Sequence, residues 1–426
     1  IGAGIFMNSS ESAKFCQSSA QLLLVWAAGG VIAFLGGLCF AELGALFPQS
    51  GGQVIYLDRA FSPWLGFFFG WTLFSTIQTG AIAAVSTTCA RFVGTFVPMS
   101  DSAFRWTAAG IIWLLTAVNI LGVKPASWVQ NIFTILKISA LVVLIVVGVF
   151  VFKGTPGPPG SLPALGPLFP SGVDLKVLSA LGLALMPALF SYGGWQNLNF
   201  VAGEVKNPAR SIPLAIISGV ALVVVVYILS NVAYVRALPL QAIAGSAKLA
   251  SDAFEAMVGP WGGRFISAAI IVSTFGITNV FVLTGARVYQ VMAEKRMFVP
   301  AAARVHRRFG TPHVAILFQA VWASGLLLSN TYGQLLQYVT FGDWIFFGLT
   351  ALALIVLRRK MPGAERPYRT WGYPATPLIF LIIAVSVVIN VFISSPVKSF
   401  VGTAIILAGL PMYLAVRRKD RTSHAL

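Results

Sequence analysis

Long apolar runs separated by short polar and basic breaks make up nearly the whole chain. They cover 22–46, 65–97, 106–121, 129–152, a segment opening near Val177, 213–235, 265–292, 314–329, 335–357, 377–393 and 400–416. Roughly 20 apolar residues in a helix cross the hydrocarbon of a bilayer, and most of these runs reach that length. The sequence starts at Ile1 inside a glycine-rich motif. A first span is therefore expected whose leading half-helix and cytoplasmic tail lie ahead of this sequence, making twelve spans in all. Between the runs, 56–61 reads as a short amphipathic piece and 239–260 as a polar helical connector on the outer face. The Gly/Pro-rich stretch 154–170 has no helical period and reads as an exposed loop.

Two of the runs are interrupted. Gly2-Ala3-Gly4-Ile5-Phe6 opens the chain, and Phe190-Ser191-Tyr192-Gly193-Gly194-Trp195-Gln196-Asn197 sits inside the sixth run. Glycine loosens a helix because it costs backbone entropy to order. In lipid, a loosened backbone survives only where protein or a water-filled cavity receives its polar groups. Two breaks at corresponding places in two halves of a chain point to a binding site between inverted repeats.

Composition narrows the class. A hydrophobic fraction of 57%, a charged fraction of 10% and a mean hydropathy of +0.85 exclude a soluble globular chain. The net charge of +17 would suit nucleic acid, but its placement argues for a bilayer instead. With the chain's start inside, nineteen Lys and Arg fall on the cytoplasmic side, nine on the other, and Lys137 belongs to neither. That is the bias of a multi-pass membrane protein. Cys16, Cys39 and Cys89 have neither disulfide-framework nor metal-ligand spacing. No His is followed by Glu, and no nucleophile elbow or phosphate loop occurs, so neither an enzyme nor a metal or cofactor site is expected. Glu42, Asp58 and Arg59 are candidates to pair at the cytoplasmic surface.

Several motifs occur in order along the chain: Gly2-Ala3-Gly4-Ile5-Phe6; Phe40-Ala41-Glu42-Leu43-Gly44 with Pro48 and Ser50-Gly51-Gly52; Phe190-Ser191-Tyr192-Gly193-Gly194-Trp195; Glu204-x-Lys206-Asn207-Pro208; and Arg366-Pro367. Together they resemble the amino acid–polyamine–organocation superfamily, and within it the L-type amino acid transporters and their bacterial relatives. The resemblance implies an all-α integral membrane protein with a LeuT-like fold of five-plus-five inverted repeats and two additional helices. It divides the chain into a first repeat (1–153), an extracellular connector (154–174), a second repeat (175–358), and two last spans with a cytoplasmic tail (359–426). It implies exchange of free amino acids, usually independent of sodium. Ala3 departs from the usual serine, and Asp343 stands beside Trp344 where some relatives carry an amide.

A zwitterionic substrate fits the two breaks. The helix resuming after Gly4 turns free N–H groups and a positive dipole end towards a carboxylate. The half-helix ending near Phe190 and Ser191 turns free carbonyls towards an ammonium. Backbone groups of Gly2, Ala3, Gly4, Ile5, Phe190 and Ser191 are the expected contacts, and Gly193 leaves room for a side chain. The resemblance makes Phe190 a gate over the substrate and Tyr227 a polar contact. It also suggests that the mid-span ammonium of Lys137, a charge expensive enough to demand partners, replaces the sodium ion of relatives by bonding carbonyls near Gly2 and hydroxyls such as Ser273 or Thr274. Asp343 offers a proton site or a contact for a cationic side chain, so proton-coupled uptake and cationic or polyamine substrates stay open beside neutral ones. The resemblance implies that eukaryotic relatives often require a heavy-chain partner held by a disulfide, but no cysteine falls in the outer loop after the third span where that bond would form, so no obligate heavy-chain subunit is expected. The expected location is the cytoplasmic (inner) membrane, with both termini inside.

Overall fold

A computed structural model describes residues 2, 4–153, 165–170 and 172–414, with the backbone alone for 123–133 and 398. Among these residues all regular structure is helical. A 3-10 turn (Gly4–Phe6) and α1 (Asn8–Ala13) open the chain, followed by α2 (Ser19–Leu46), α3 (Gln53–Ala60), α4 (Pro63–Thr72), α5 (Gln78–Val93), α6 (Asp101–Leu121) and α7 (Val123–Ile145). The second half holds α8 (Leu175–Tyr192), α9 (Asn197–Phe200), α10 (Pro208–Ala237), α11 (Leu240–Gly245), α12 (Leu249–Val258) and α13 (Pro260–Glu294). It ends with α14 (His313–Ser329), α15 (Tyr332–Lys360), α16 (Ala375–Ser394) and α17 (Pro396–Leu407). Nine helices among the described residues are long and apolar enough to cross a membrane. The shorter apolar helices His313–Ser329 and Ser399–Leu414 and the interrupted opening segment bring the count to the twelve expected.

Local chemistry sets the boundaries. Ser100 caps α6 by accepting from the Ala103 N–H, so that helix begins five residues before its apolar run. Asp174 caps α8 through the Val177 N–H at 2.7 Å. Thr331 and Gln334 form a reciprocal capping box on α15. The third span is continuous from Pro63 to Val93, but a π-helical turn at Leu73–Ile77 separates α4 from α5, a feature hydropathy does not register. The connector expected at 239–260 is helical, as α11 and α12. The fifth span starts earlier than its apolar run. Lys137 therefore sits fourteen residues beyond the start of α7, about 21 Å of helix, rather than eight residues beyond the start of its apolar run at 129.

The longest apolar seam runs between α2 and α10. Gly30, Gly37 and Gly44 are spaced by seven, and all three face α10. A Cβ on Gly30 would stand 2.8 Å from Val224, on Gly37 3.4 Å from Ile216 and Val220, and on Gly44 2.8 Å from Ile212. Between membrane helices water supplies no hydrophobic drive, so close backbone approach over small residues does the work. The neighbouring glycines turn to other partners: Gly29 lies against Tyr192, and Gly36 against Phe380.

At the basic end of the bundle Glu42 is completely buried. Its carboxylate accepts from both arms of the Arg358 guanidinium, at 2.9 and 2.6 Å, and from the Thr370 N–H at 2.7 Å. Arg366 adds a second cation at 3.3 Å, and the Arg358 guanidinium lies 3.8 Å from the Tyr373 ring centre. The pairing expected among Glu42, Asp58 and Arg59 is thus corrected. Glu42 points inward from α2 towards the end of α15, and Asp58 pairs with Lys295 at 2.7 Å instead. Breaking a buried pair by removing one partner typically costs about 3–5 kcal/mol, because the other charge is left uncompensated. Glu42→Ala is therefore expected to lower the unfolding midpoint of the purified protein markedly more than Asp58→Ala, in a thermal scan of the two variants side by side.

Candidate functional site

Both interruptions are real breaks, and they meet. After Gly2 the chain makes its 3-10 turn, with the Met7 N–H donating to the Gly4 carbonyl at 3.1 Å. A helix that begins there has first N–H groups without partners in its own helix. On the other side α8 ends at Tyr192. Gly193 leaves the helical region with ψ 154°, and Gly194 has φ +128°, which a side chain would strain. The Gly194 N–H then donates to Gln196 Oε1 and its carbonyl accepts from Asn197 Nδ2 before α9 resumes.

Side chains stitch the breaks together. Tyr227, fully buried on α10, accepts from the Gly2 N–H at 2.9 Å and donates to the Ser191 carbonyl at 3.2 Å. Asn8 of α1 donates from Nδ2 to Ser191 Oγ (2.8 Å) and to the Pro187 carbonyl (3.2 Å). Its Oδ1 accepts from the Tyr332 hydroxyl at 2.6 Å. The Tyr234 hydroxyl holds the Ile5 carbonyl at 3.2 Å. Gly4 is a point of closest approach, where a Cβ would stand 2.7 Å from Ser191 Cβ. Trp26, Tyr192 and Tyr227 form an aromatic base beneath, with ring centres 5.0–5.8 Å apart.

Two adjoining cavities share this junction. One of about 380 Å³ is lined by Gly2, Ser191, Gly193, Gly194, Tyr227 and Lys137. A smaller one of about 50 Å³ is lined by Gly2, Gly4, Phe190, Gly193, Gly194 and Asp343. The opening motif and the glycine pair of the sixth run thus face one space, with helix-start N–H groups on one side and the carbonyl end of α8 on the other. Ile5 is buried against this junction, and Ala3 lies outside the described residues.

The remaining expected residues divide. Lys137 is 4% exposed and lies on the wall of the larger cavity. Ser273 and Thr274 are buried on α13 but are not on that wall. Thr274 Oγ1 donates back to the Ile270 and Ile271 carbonyls, and Ser273 Oγ has no hydrogen-bond partner among the described residues. Asp343 is half-buried on α15 and makes no hydrogen bond or ion pair among the described residues. Sequence reasoning missed Asn8, which follows the apolar Ile5-Phe6-Met7 and opens the polar run Asn8-Ser9-Ser10-Glu11-Ser12. It also missed Gln78, which ties α5 to α13 by donating to the Phe281 carbonyl and Thr284 Oγ1. Among the described residues no group of three or more His, Cys, Asp or Glu side chains converges on a metal position.

Residues 1–416 match the family model described as amino acid permease. The chain is 32% identical to the b(0,+)-type amino acid transporter 1 of Homo sapiens, over 97% of this chain and 84% of that protein. It is 29% identical to the serine/threonine exchanger SteT of Bacillus subtilis (strain 168), over 98% and 94%. With the large neutral amino acids transporter small subunit 2 of Rattus norvegicus the identity is 32%, over 97% and 77%.

Loss of one partner of a buried hydrogen bond costs about 1–3 kcal/mol, or roughly tenfold in an equilibrium. Tyr227→Phe removes the hydroxyl that serves both breaks and is expected to lower initial uptake about tenfold in proteoliposomes, with the protein still present at normal level. Gly4→Ala drives a methyl into Ser191 and is expected to lower uptake at least as far. Wild-type uptake by either variant would mean that the junction does not serve transport.

Proposed function

The chain belongs to the amino acid permease family, a family of LeuT-like transporters, and on that premise we propose that it exchanges neutral L-amino acids by alternating access, independently of sodium. It is an amino acid transporter with multiple membrane-spanning helices, not an enzyme. The observation that carries the finer reading is the single space onto which both interrupted helices open. Opposite backbone poles across that space are complementary to a zwitterion, because N–H groups receive a carboxylate and carbonyls an ammonium. In this reading Gly2, Ala3, Gly4 and Ile5 hold the carboxylate, and Phe190 and Ser191 hold the ammonium. Gly193 leaves side-chain volume, Tyr227 aligns the two breaks, and Phe190 closes over the substrate.

Residues 1–153 and 175–358 are the two inverted repeats of this reading, joined by 154–174 and followed by 359–426. Lys137 supplies a permanent cation beside Gly2, in place of a sodium ion that would have to bind and leave. In this reading its ammonium bonds carbonyls near Gly2 and hydroxyls such as Ser273 or Thr274 of α13. The names of two relatives support amino acid exchange and neutral substrates: one is a serine/threonine exchanger, and another a transporter of large neutral amino acids. One of those proteins is a small subunit by name. For this chain we favour transport without a second subunit, because its cysteines sit at Cys16, Cys39 and Cys89, the last two buried within helices. The excess of Lys and Arg at the Glu42 end supports an inner-membrane location with both termini in the cytoplasm.

Asp343 supports a second reading. A carboxylate on the wall of the smaller cavity, without a hydrogen bond or ion pair among the described residues, suits a cationic side chain or a transported proton.

Radiolabelled L-serine uptake, competed by a panel of neutral and basic amino acids, separates the readings. Neutral competitors are expected to win, with no change when choline replaces sodium or when a pH gradient is imposed. Dominant competition by lysine or arginine, abolished by Asp343→Asn, would move the assignment to cationic substrates. Lys137→Ala is expected to abolish uptake at unchanged expression.

A further inference from the structure

A third cavity, of about 300 Å³, lies at the end of the bundle opposite Glu42, between the end of α5 and the start of α15. Arg91, Arg105 and Asp101 supply its charge, Phe104 and Leu327 its apolar wall, and Tyr332 its floor. Neither arginine has a salt-bridge partner among the described residues. The Arg91 guanidinium lies 6.0 Å from the Tyr332 ring centre, and Arg105 reaches only the Leu328 carbonyl, at 3.5 Å. Arg91 is half-buried. A guanidinium withdrawn from bulk water without a carboxylate partner is unfavourable unless something else completes it. The Arg91 fork and the exposed Arg105 fork beside one exposed carboxylate make a net positive cleft, and the planar fork matches a carboxylate with two parallel hydrogen bonds.

Two residues link the cleft to the central junction by hydrogen bonds. Tyr332 forms its floor, the Tyr332 hydroxyl donates to Asn8, and Asn8 donates to Ser191 on the wall of the central cavities. A ligand entering the cleft meets the ring whose hydroxyl closes that chain.

We propose that this cleft is a vestibule site for the carboxylate of a small organic acid or amino acid, held by Arg91 and Arg105, ahead of the central cavity. The site goes beyond the exchange reading and does not depend on it.

The test uses the full chain in lipid nanodiscs, with Asn330→Cys as a reporter on the cleft wall. Cys16→Ser removes the one native thiol that is not buried. Labelling by a thiol reagent is timed with propionate, propylamine or inorganic phosphate present. Propionate is expected to slow labelling about tenfold when it fills about nine-tenths of the sites, and propylamine to leave the rate unchanged. The protection is expected to vanish in Arg91→Gln/Arg105→Gln and to persist in Arg91→Lys. No protection by propionate, equal protection by propylamine, protection by phosphate alone, or protection that survives the double glutamine variant would each overturn the proposal. The propionate–propylamine contrast with both arginines in place decides the matter even if the double variant does not fold. None of these readouts requires transport.

Discussion

A peptide group inside a bilayer has no water to turn to, and this constraint shapes everything around the two interrupted helices. Each break frees backbone donors and acceptors that a continuous helix would have consumed. The protein receives part of them with buried polar side chains: the Tyr227 hydroxyl accepts from the Gly2 N–H and donates to the Ser191 carbonyl, while the Tyr234 hydroxyl donates to the Ile5 carbonyl. What remains faces the cavities. A site made this way is assembled from backbone poles, so its affinity for a zwitterion follows from helix direction more than from side-chain charge.

Such a junction is held from several sides. Asn8 reaches α8 and α15 at once, and Ser9 and Ser12 of the same short helix bond Asn231 of α10 and the Ala184 carbonyl of α8. The six residues of α1 are thereby anchored by hydrogen bonds where most membrane helices rely on apolar contact. Farther away, Glu42 holds the basic end of α15 and the loop after it to α2.

Much of this was legible beforehand for a physical reason. Hydropathy reports solvent, and in a bilayer solvent dictates where helices run, so the spans emerged with errors at their ends, as at Ser100 and at the start of α7. The glycine breaks were legible because few residues other than glycine take φ near +128°, as Gly194 does. Partnerships across long sequence separations were not. Nothing local to Glu42 names Arg358, 316 residues away, and the nearer Asp58 and Arg59 were the natural but mistaken choice. The π-helical turn at Leu73–Ile77 was equally silent, since inserting a residue into a helix leaves hydropathy unchanged.

The seven-residue glycine spacing on α2 has a mechanical corollary. Helices whose backbones interlock along three successive contact points resist sliding and splaying, so α2 and α10 travel as a single lever. Tyr227 rides on that lever, and so does Trp26 beneath it. Any swing of the pair must either carry the opening turn along through the Gly2–Tyr227 link or snap that link. The junction is thereby coupled to the α2–α10 pair, and a bound solute would feel any displacement of that pair through one phenolic oxygen.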